Sequence, residues 1–214
     1  MKRSLLIGNG INLVSGNGAS WSALMNSLAG TAPTAHEEAV RKEKPFTLWF
    51  EEICNLSNKS EPKRLIAELL SNDITQNDFH TDFMELDISN ILTTNYDYNL
   101  EKSINLPWRP NSTAKETYYS LFRRNSIGKK HIWHIHGELN NISSIMLGHE
   151  QYAGYLYKMR NYLSSGVQTE NKDRNQEPYL SKFRKKIKEQ PAYVESWVDI
   201  FLESEIHIIG FSFD

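Results

Sequence analysis

Four short apolar segments, each followed by a cluster of glycine or polar residues, constrain this chain more than any other feature of its sequence. They read LLIGNG, ILTTNYD, HIWHIHG and IHIIGFS, and helix-like segments separate them. A short apolar run of this kind is typical of a strand buried on both faces of a parallel sheet. Strands that alternate with helices indicate an α/β fold. We therefore predict a Rossmann-like, mainly parallel sheet flanked by helices.

The length of the chain suits one domain. Its 214 residues are enough to bury one sizeable core. We predict a single domain over residues 1–214, with a helical insertion from about residue 36 to residue 87, where apolar residues recur at helical spacing among many charges. The segment SSIMLG predicts a further short strand. Because the chain stops directly after its last strand, we expect a longer protein with a further C-terminal region.

Composition excludes several classes of partner. The formal net charge of −2 gives no general attraction to nucleic acid or to anionic lipid. The single cysteine, Cys54, cannot form a cysteine zinc cluster or a disulfide framework. No apolar run approaches the roughly 20 residues that span a bilayer. We expect a cytoplasmic protein that binds neither membranes nor nucleic acid and holds no metal.

Ligands of open α/β sheets bind beyond the carboxyl ends of the strands, so the residues at these ends are the candidate site. The first end carries Gly8, Gly10 and Asn12. Glycines let the backbone approach a phosphate closely, and the following helix offers free N–H groups. The run lacks a full G-x-G-x-x-G pattern because residue 13 is Leu, so a simple tight turn is an equally good interpretation.

The second end carries Thr94, Asn95 and Asp97. Side chains that project from a strand end into a cleft can form hydrogen bonds with sugar hydroxyls or with a carboxamide. Asn95 or Asp97 could instead cap the helix that follows. One cap does not require both residues, so we expect this junction to contact a ligand.

The third end carries His136 and Gly137, where a histidine could act as a base. His134 lies two residues earlier, so the alternation of a strand predicts that both histidines share one face, with His131 on the other. A metal site is the weaker interpretation, because no nearby cysteine or acidic cluster completes a ligand set. The fourth end carries Gly210 and Ser212, which could meet a phosphate or a ribose.

These four ends resemble, in the same order, the motif series of the sirtuin superfamily, whose forms are roughly Gly-Ala-Gly-Ile-Ser, Thr-Gln-Asn-Ile-Asp, His-Gly and Gly-Thr-Ser. The corresponding segments here are Gly8-x-Gly10-x-Asn12, Thr93-Thr94-Asn95-Tyr96-Asp97, His136-Gly137 and Gly210-Phe211-Ser212. The segments TTNYD and IIGFSFD are closer still to the sirtuin-like domains of bacterial antiphage defence proteins.

The resemblance implies an enzyme that consumes NAD by cleaving its nicotinamide–ribose bond. Asn95 would hold the nicotinamide ribose or the attacking water, and His136 would act as the base. Asp97 would contact the carboxamide. The remaining contacts with NAD would come from residues of the same four motifs: Gly8, Gly10, Asn12, Thr94, Gly137, Gly210 and Ser212.

Two departures from the sirtuin pattern narrow this expectation. Protein-deacylating sirtuins carry a four-cysteine zinc module, which one cysteine cannot build. Asn12 replaces the serine of the first motif, and Thr94 replaces the glutamine of the second. Both departures disfavour recognition of an acyl-lysine peptide and favour NAD hydrolysis, with water as the acceptor. The defence-protein resemblance then implies NAD depletion during phage infection, controlled by a homo-oligomer or by a partner sensor domain or protein.

Two other functions compete with an NAD glycohydrolase. A binding module that senses NAD or an ADP-ribose derivative needs the glycine turns but does not need Asn95 and His136 for turnover. A structural α/β scaffold that serves oligomerisation needs no nucleotide site at all.

Overall fold

A computed structural model describes residues 2–15, 18, 20–29, 43–55, 60–73, 75–110, 120–165, 194 and 196–211. Within these residues the strands are β1 (Lys2–Ile7), β2 (Asn90–Thr93), β3 (Arg109–Pro110), β4 (Asn125–Ile127), β5 (Lys130–His134) and β6 (Ser204–Ile209). They form one sheet with the order β3-β4-β5-β2-β1-β6.

The sheet is mainly parallel. The neighbours β5, β2, β1 and β6 pair in parallel, whereas β4 pairs antiparallel with both β5 and β3. The four parallel strands are the apolar segments that the sequence analysis selected. The predicted Rossmann-like fold is therefore confirmed, with an antiparallel extension at one edge.

The helices are α1 (Gly10–Leu13), α2 (Trp21–Ala29), α3 (Phe46–Asn55), α4 (Ser60–Asp73), α5 (Asp78–Glu85), α6 (Asn99–Lys102), α7 (His149–Ser165) and α8 (Trp197–Glu203). The stretch predicted as a helical insertion contains α3, α4 and α5, and its residues 36–42, 56–59 and 74 lie outside the described residues. No helix in the described part of the chain is both long and apolar enough to span a membrane.

The strand predicted for SSIMLG is wrong. Residues Ile142–Ser144 form a 3-10 helix, and the next three residues are irregular. The hydroxyl of Ser144 donates to the carbonyl of Asn141, while the backbone N–H of Met146 donates to the carbonyl of His136 at 2.9 Å. These bonds fold the segment back onto the end of β5, and its apolar side chains enter the core without pairing with the sheet.

Each face of the sheet packs on helices because both faces are apolar. On one face the isoleucines Ile7, Ile91 and Ile132 are fully buried, and α5 and α6 cover them with Met84 and Leu100. Burying one such side chain contributes about 1.5–3 kcal/mol. The opposite face carries a second cluster, which α7 and α8 cover: Leu92, Trp133, Tyr155, Trp197 and Ile200.

A third core cluster joins the helical region to the second strand end. Residues of α2, α3 and α4 surround Tyr96, which is 2% exposed. Its hydroxyl donates to the carbonyl of Met146 at 2.7 Å. Tyr96 is thus a core residue that fixes the polar junction after β2.

The parallel strands end level with one another. Ile7 lies beside both Thr93 and Ile209, and Thr93 lies beside His134. The residues that follow these four positions therefore meet along one edge of the sheet, where the candidate site lies.

Gly137 should be the glycine at which an added methyl group is tolerated least. Its φ is +106°, and a Cβ would lie 2.3 Å from the carbonyl oxygen of Ser144. Gly128 is a matched control, because its φ is also positive, at +55°, but its nearest contact is Leu106 Cδ1 at 4.0 Å. We expect Gly137→Ala to lower the free energy of unfolding by about 3 kcal/mol and Gly128→Ala by about 1 kcal/mol. Equal losses in urea titrations would contradict the described backbone.

Candidate functional site

The first and last strand ends are packed directly against each other. The N–H of Gly8 donates to the carbonyl of Ile209, and the N–H of Gly10 donates to that of Gly210, both at 2.8 Å. A Cβ on Gly8 would lie 2.5 Å from the Gly210 oxygen, and one on Gly10 would lie 2.8 Å from it. Glycine is required at both positions because backbone meets backbone there. Ser212, predicted beside Gly210, lies outside the described residues.

Asn95 connects the second strand end to the first. Its side-chain Nδ2 donates to the carbonyl oxygen of Gly8 at 3.2 Å. Since a carbonyl can only accept, this contact also fixes which amide atom is nitrogen. Its backbone N–H donates to the hydroxyl of Thr93 at 3.0 Å, and its own carbonyl oxygen lies 2.9 Å from His134 Nδ1. Asn95 is 6% exposed.

The side-chain oxygen of Asn95 is different from its other polar atoms. Oδ1 is buried and has no hydrogen-bond partner among the described residues. An unpaired buried acceptor costs about 1–3 kcal/mol. Ser4, Glu101 and Asn125 also carry such an oxygen, and Asn95 is the one among the strand-end candidates. Asn95 thus keeps one buried side-chain oxygen with the capacity to accept a further hydrogen bond.

Asn12 and Asp97 hold each other across the site. Asn12 Nδ2 donates to Asp97 Oδ2 at 2.9 Å. The other carboxylate oxygen, Oδ1, accepts the backbone N–H of Asn99 at 3.0 Å, at the start of α6. Asp97 is not the N-cap residue of α6, which is Tyr98, but from the preceding position it accepts the N–H of the first helical residue. With both oxygens engaged, Asp97 fixes the loop after β2 relative to α1.

His80 is a neighbour of this pair that the sequence analysis missed. Its Nε2 lies 3.0 Å from Asn12 Oδ1, while its Nδ1 accepts the backbone N–H of Asn77 at 3.1 Å. This assigns the proton to Nε2. Burial lowers the pKa of His80, and the charge of Asp97 offsets only part of that shift. A neutral histidine from α5 thus holds Asn12, in the loop and short helix after β1, by a hydrogen bond. Its position in a helix is not one that a search of strand ends would select.

Thr94 and Gly137 have backbone roles in the described residues. The N–H of Thr94 donates to the carbonyl of Ile7 at 3.2 Å, which continues the parallel ladder by one residue. The side chain of Thr94 is partly exposed. Gly137 turns the chain away from β5 with its positive φ.

His136 lies just beyond β5 and faces α7. Its Nδ1 is 3.4 Å from the hydroxyl of Tyr152, and the two rings meet edge to face with centroids 5.3 Å apart. Part of the residue reaches the surface, but protein atoms packed around the ring keep water away from it. This desolvation lowers the pKa of His136 to about 4, so the ring is neutral at pH 7. The expectation that His134 and His136 share a strand face is wrong. The strand ends at His134, and the turn after it directs His136 to the other side.

His134 belongs to a buried ion pair that the sequence analysis also missed. Its Nε2 lies 2.7 Å from Glu101 Oε1, and both side chains are fully buried. Asn125 Nδ2 donates to the same carboxylate oxygen at 2.7 Å. Burial alone would lower the pKa of His134, but the charge and hydrogen bond of Glu101 outweigh it and raise the pKa to about 9. The helical segment that contains Glu101 gives no signal of this partner in the sequence.

The described residues contain no cluster of three or more histidine, cysteine or acidic side chains that could hold a metal ion. A cavity of about 260 Å³ lies elsewhere, beside β1 and β6, where Arg3, Asp87 and His207 are among its lining residues. None of the predicted site residues lines it, so it is separate from the candidate site.

The hydrogen bonds thus unite most of the predicted residues into one edge. They join Gly8 to Asn95, Gly10 to Gly210, and Asn12 to Asp97. A comparison with family models matches residues 89–214 to the SIR2-like domain. The chain belongs to the SIR2-like family. The match confirms the sirtuin resemblance and makes the chain a sirtuin-like, NAD-related domain.

A search of curated proteins finds no match to the chain. The SIR2-like match includes the second, third and fourth strand ends and leaves out the first. The support for including Gly8, Gly10 and Asn12 in the candidate site is therefore structural. Each of them forms a hydrogen bond with a residue inside the matched stretch.

Asn12→Asp should destabilise the SIR2-like domain strongly. The change removes the N–H that Asp97 Oδ2 accepts and places a second carboxylate within hydrogen-bond distance. We expect a loss of about 3 kcal/mol in the free energy of unfolding at pH 8. The loss should be smaller at pH 5, because a proton shared by two close carboxyls relieves their repulsion. Asn105→Asp, at an exposed position, is the control. Similar urea midpoints for both variants at pH 8 would refute this contact.

Proposed function

We propose that this SIR2-like domain is an NAD glycohydrolase, which cleaves NAD to nicotinamide and ADP-ribose with water as the acceptor. The proposal includes the cytoplasm as its location, NAD depletion in bacterial antiphage defence as its role, and control by a homo-oligomer or a partner sensor. The biological setting depends on the sequence resemblance, whereas the chemistry is supported by the site.

The observation that carries the proposal is the unpaired Oδ1 of Asn95. Among the described candidate residues, it is the buried side-chain acceptor that lacks a partner. A water molecule or a ribose hydroxyl has the O–H donor that this oxygen needs. Because the other polar atoms of Asn95 are already held, its side chain can orient a nucleophile without first being ordered.

His136 supports the same chemistry through its protonation state. With a pKa of about 4, its ring is neutral at pH 7 and keeps one nitrogen lone pair. Burial raises the pKa of Tyr152 to about 12, so this phenol stays protonated and uncharged. If Nδ1–H donates to the Tyr152 oxygen, Nε2 is the atom that accepts a proton.

The reaction balances without any further reactant. As the bond between C1′ of the ribose and the nicotinamide nitrogen breaks, its electron pair neutralises the pyridinium. Positive charge develops on the ribose, and water held by Asn95 adds to C1′. The water then loses a proton to His136 or to solvent. An oriented nucleophile and nearby polar groups matter more here than a strong base.

The remaining candidates would bind and orient NAD in this proposal. Gly8, Gly10 and Gly210 would line the pyrophosphate and the adenosine side, although the N–H groups of Gly8 and Gly10 already donate to Ile209 and Gly210. Asn12 and Asp97 use their side-chain atoms on each other, so we assign them to holding the loops in place. Thr94 and Gly137 lie on the same edge as further candidate contacts.

Release of nicotinamide from NAD by the purified protein is the direct test. We expect steady release by the wild type and a loss of about 100-fold or more in Asn95→Ala and in His136→Ala. Asn161→Ala and His207→Ala are the matched controls, since both side chains are exposed and outside the site. These controls should retain wild-type rates.

Two outcomes would lead to other conclusions. Variants of Asn95 and His136 that match the wild type would show that the reaction occurs elsewhere. A wild type that binds NAD in calorimetry but releases no nicotinamide would favour the NAD-sensing module instead.

As the pH is lowered, activity should fall only at an unusually acidic pH. His136 has a folded pKa near 4 against about 6.5 for an ordinary histidine. It therefore stays in its neutral, proton-accepting form as the pH falls from 7 to 5. We expect kcat/KM to stay nearly constant over this range and to fall only nearer pH 4. A midpoint close to pH 6.5 would contradict the assignment of His136 as the base.

A further inference from the structure

The backbone carbonyl of Asn95 has a charged partner that the proposed chemistry has not used. His134 Nδ1 lies 2.9 Å from this oxygen, at the end of the neighbouring strand β5. Together with the bonds from Asn95 to Thr93 and Gly8, this contact engages every polar atom of Asn95 except Oδ1. His134 thus completes the set of contacts that hold Asn95, whose unpaired oxygen is the proposed partner of the nucleophile.

The hydrogen-bond partners of His134 define its protonation. Nδ1 faces a carbonyl oxygen, which can only accept, so Nδ1 carries a proton. Nε2 faces Glu101 Oε1 at 2.7 Å, and that oxygen also accepts Asn125 Nδ2. The negative charge and hydrogen bond of Glu101 raise the pKa of His134 to about 9, so Nε2 also carries a proton at pH 7. The ring is therefore an imidazolium paired with Glu101.

The surroundings keep this charge in place. His134 and Glu101 are both inaccessible to solvent, and removing one partner of such a pair leaves an uncompensated buried charge. Tyr98 packs edge to face on the imidazole with centroids 5.5 Å apart. The negative charge of Glu138, which follows β5, also raises the pKa of His134. Glu138 Oε1 lies 3.5 Å from Arg123 Nε.

We propose that His134, held by Glu101, is a positioning residue that orients the Asn95 side chain for the nucleophile. The inference rests on the proposed NAD hydrolysis and extends it to two residues whose side chains are inaccessible to solvent. Loss of the Nδ1 donor frees the Asn95 peptide and misplaces its amide, so turnover falls while NAD binding is preserved.

Two amide substitutions separate this role from general stabilisation. An asparagine amide nitrogen can take the place of imidazole Nδ1, and a glutamine amide nitrogen can take the place of Nε2. His134→Asn therefore keeps a donor for the Asn95 carbonyl, while His134→Gln keeps only the donor for Glu101. We expect His134→Gln to lower kcat about 10- to 100-fold with KM for NAD nearly unchanged. His134→Asn should retain more of the wild-type kcat than His134→Gln.

A merely structural ion pair would give the opposite order or equal losses, and either result would overturn the proposal. A pH titration provides a second readout through Glu101→Gln. The groups that face His134 are Glu101 of α6, Glu138 after β5 and the Tyr98 phenol. With Glu101 neutral, burial should lower the pKa of His134 from about 9, as a ring-nitrogen NMR titration would show, while Nδ1 keeps its proton for the Asn95 carbonyl.

A third readout is independent of activity. In isotope-labelled protein, His134 should show two protonated ring nitrogens at pH 7, and the Asn95 side-chain amide resonance should shift in His134→Gln but stay close to wild type in His134→Asn. If wild type releases no nicotinamide, the proposed function fails, and this resonance still decides the positioning role. An unchanged Asn95 resonance in folded His134→Gln overturns it.

Discussion

The hydrogen bond from the Asn95 amide to the Gly8 carbonyl is the contact on which the site depends. It joins the ends of β1 and β2 beyond their last residue pair, and it leaves the side-chain oxygen of Asn95 without a hydrogen-bond partner in the described part of the chain. Parallel strands alone bring residues to a common edge. Only side-chain contacts of this kind turn that edge into a surface with a defined acceptor.

The polar residues at this edge divide into two groups, according to whether their side chains keep an atom that can still accept a hydrogen bond or a proton. Asn12 and Asp97 satisfy each other and the first turn of α6, so they act as internal braces. Asn95 and His136 keep free capacity, one as an acceptor and the other as a neutral ring with its pKa near 4. In the proposed mechanism, chemistry and scaffold would thus be carried by different residues of the same motifs, although the motifs do not distinguish them by sequence.

The sheet and the strand-end residues could be predicted because apolar runs and their polar ends are local patterns. His80 and Glu101 could not, since each acts through a hydrogen bond to a residue far away in the chain. Their helical positions look like ordinary solvent-facing ones until the packing is known. The strand expected at SSIMLG failed for a related reason: hydrophobic character indicated burial correctly but could not choose between a sheet and a 3-10 turn.

The contact between Gly10 and Gly210 has a consequence for biosynthesis. The first loop is translated about 200 residues before the turn after β6, whose Gly210 carbonyl accepts the N–H of Gly10. β1 likewise waits for β6 before its second edge is paired. Contacts of such long sequence separation slow folding, because the entropy of closing a long loop is lost before they form. The nascent chain therefore cannot complete this edge of the sheet until β6 has been translated. The candidate site would then assemble at the same time as β6 joins the sheet.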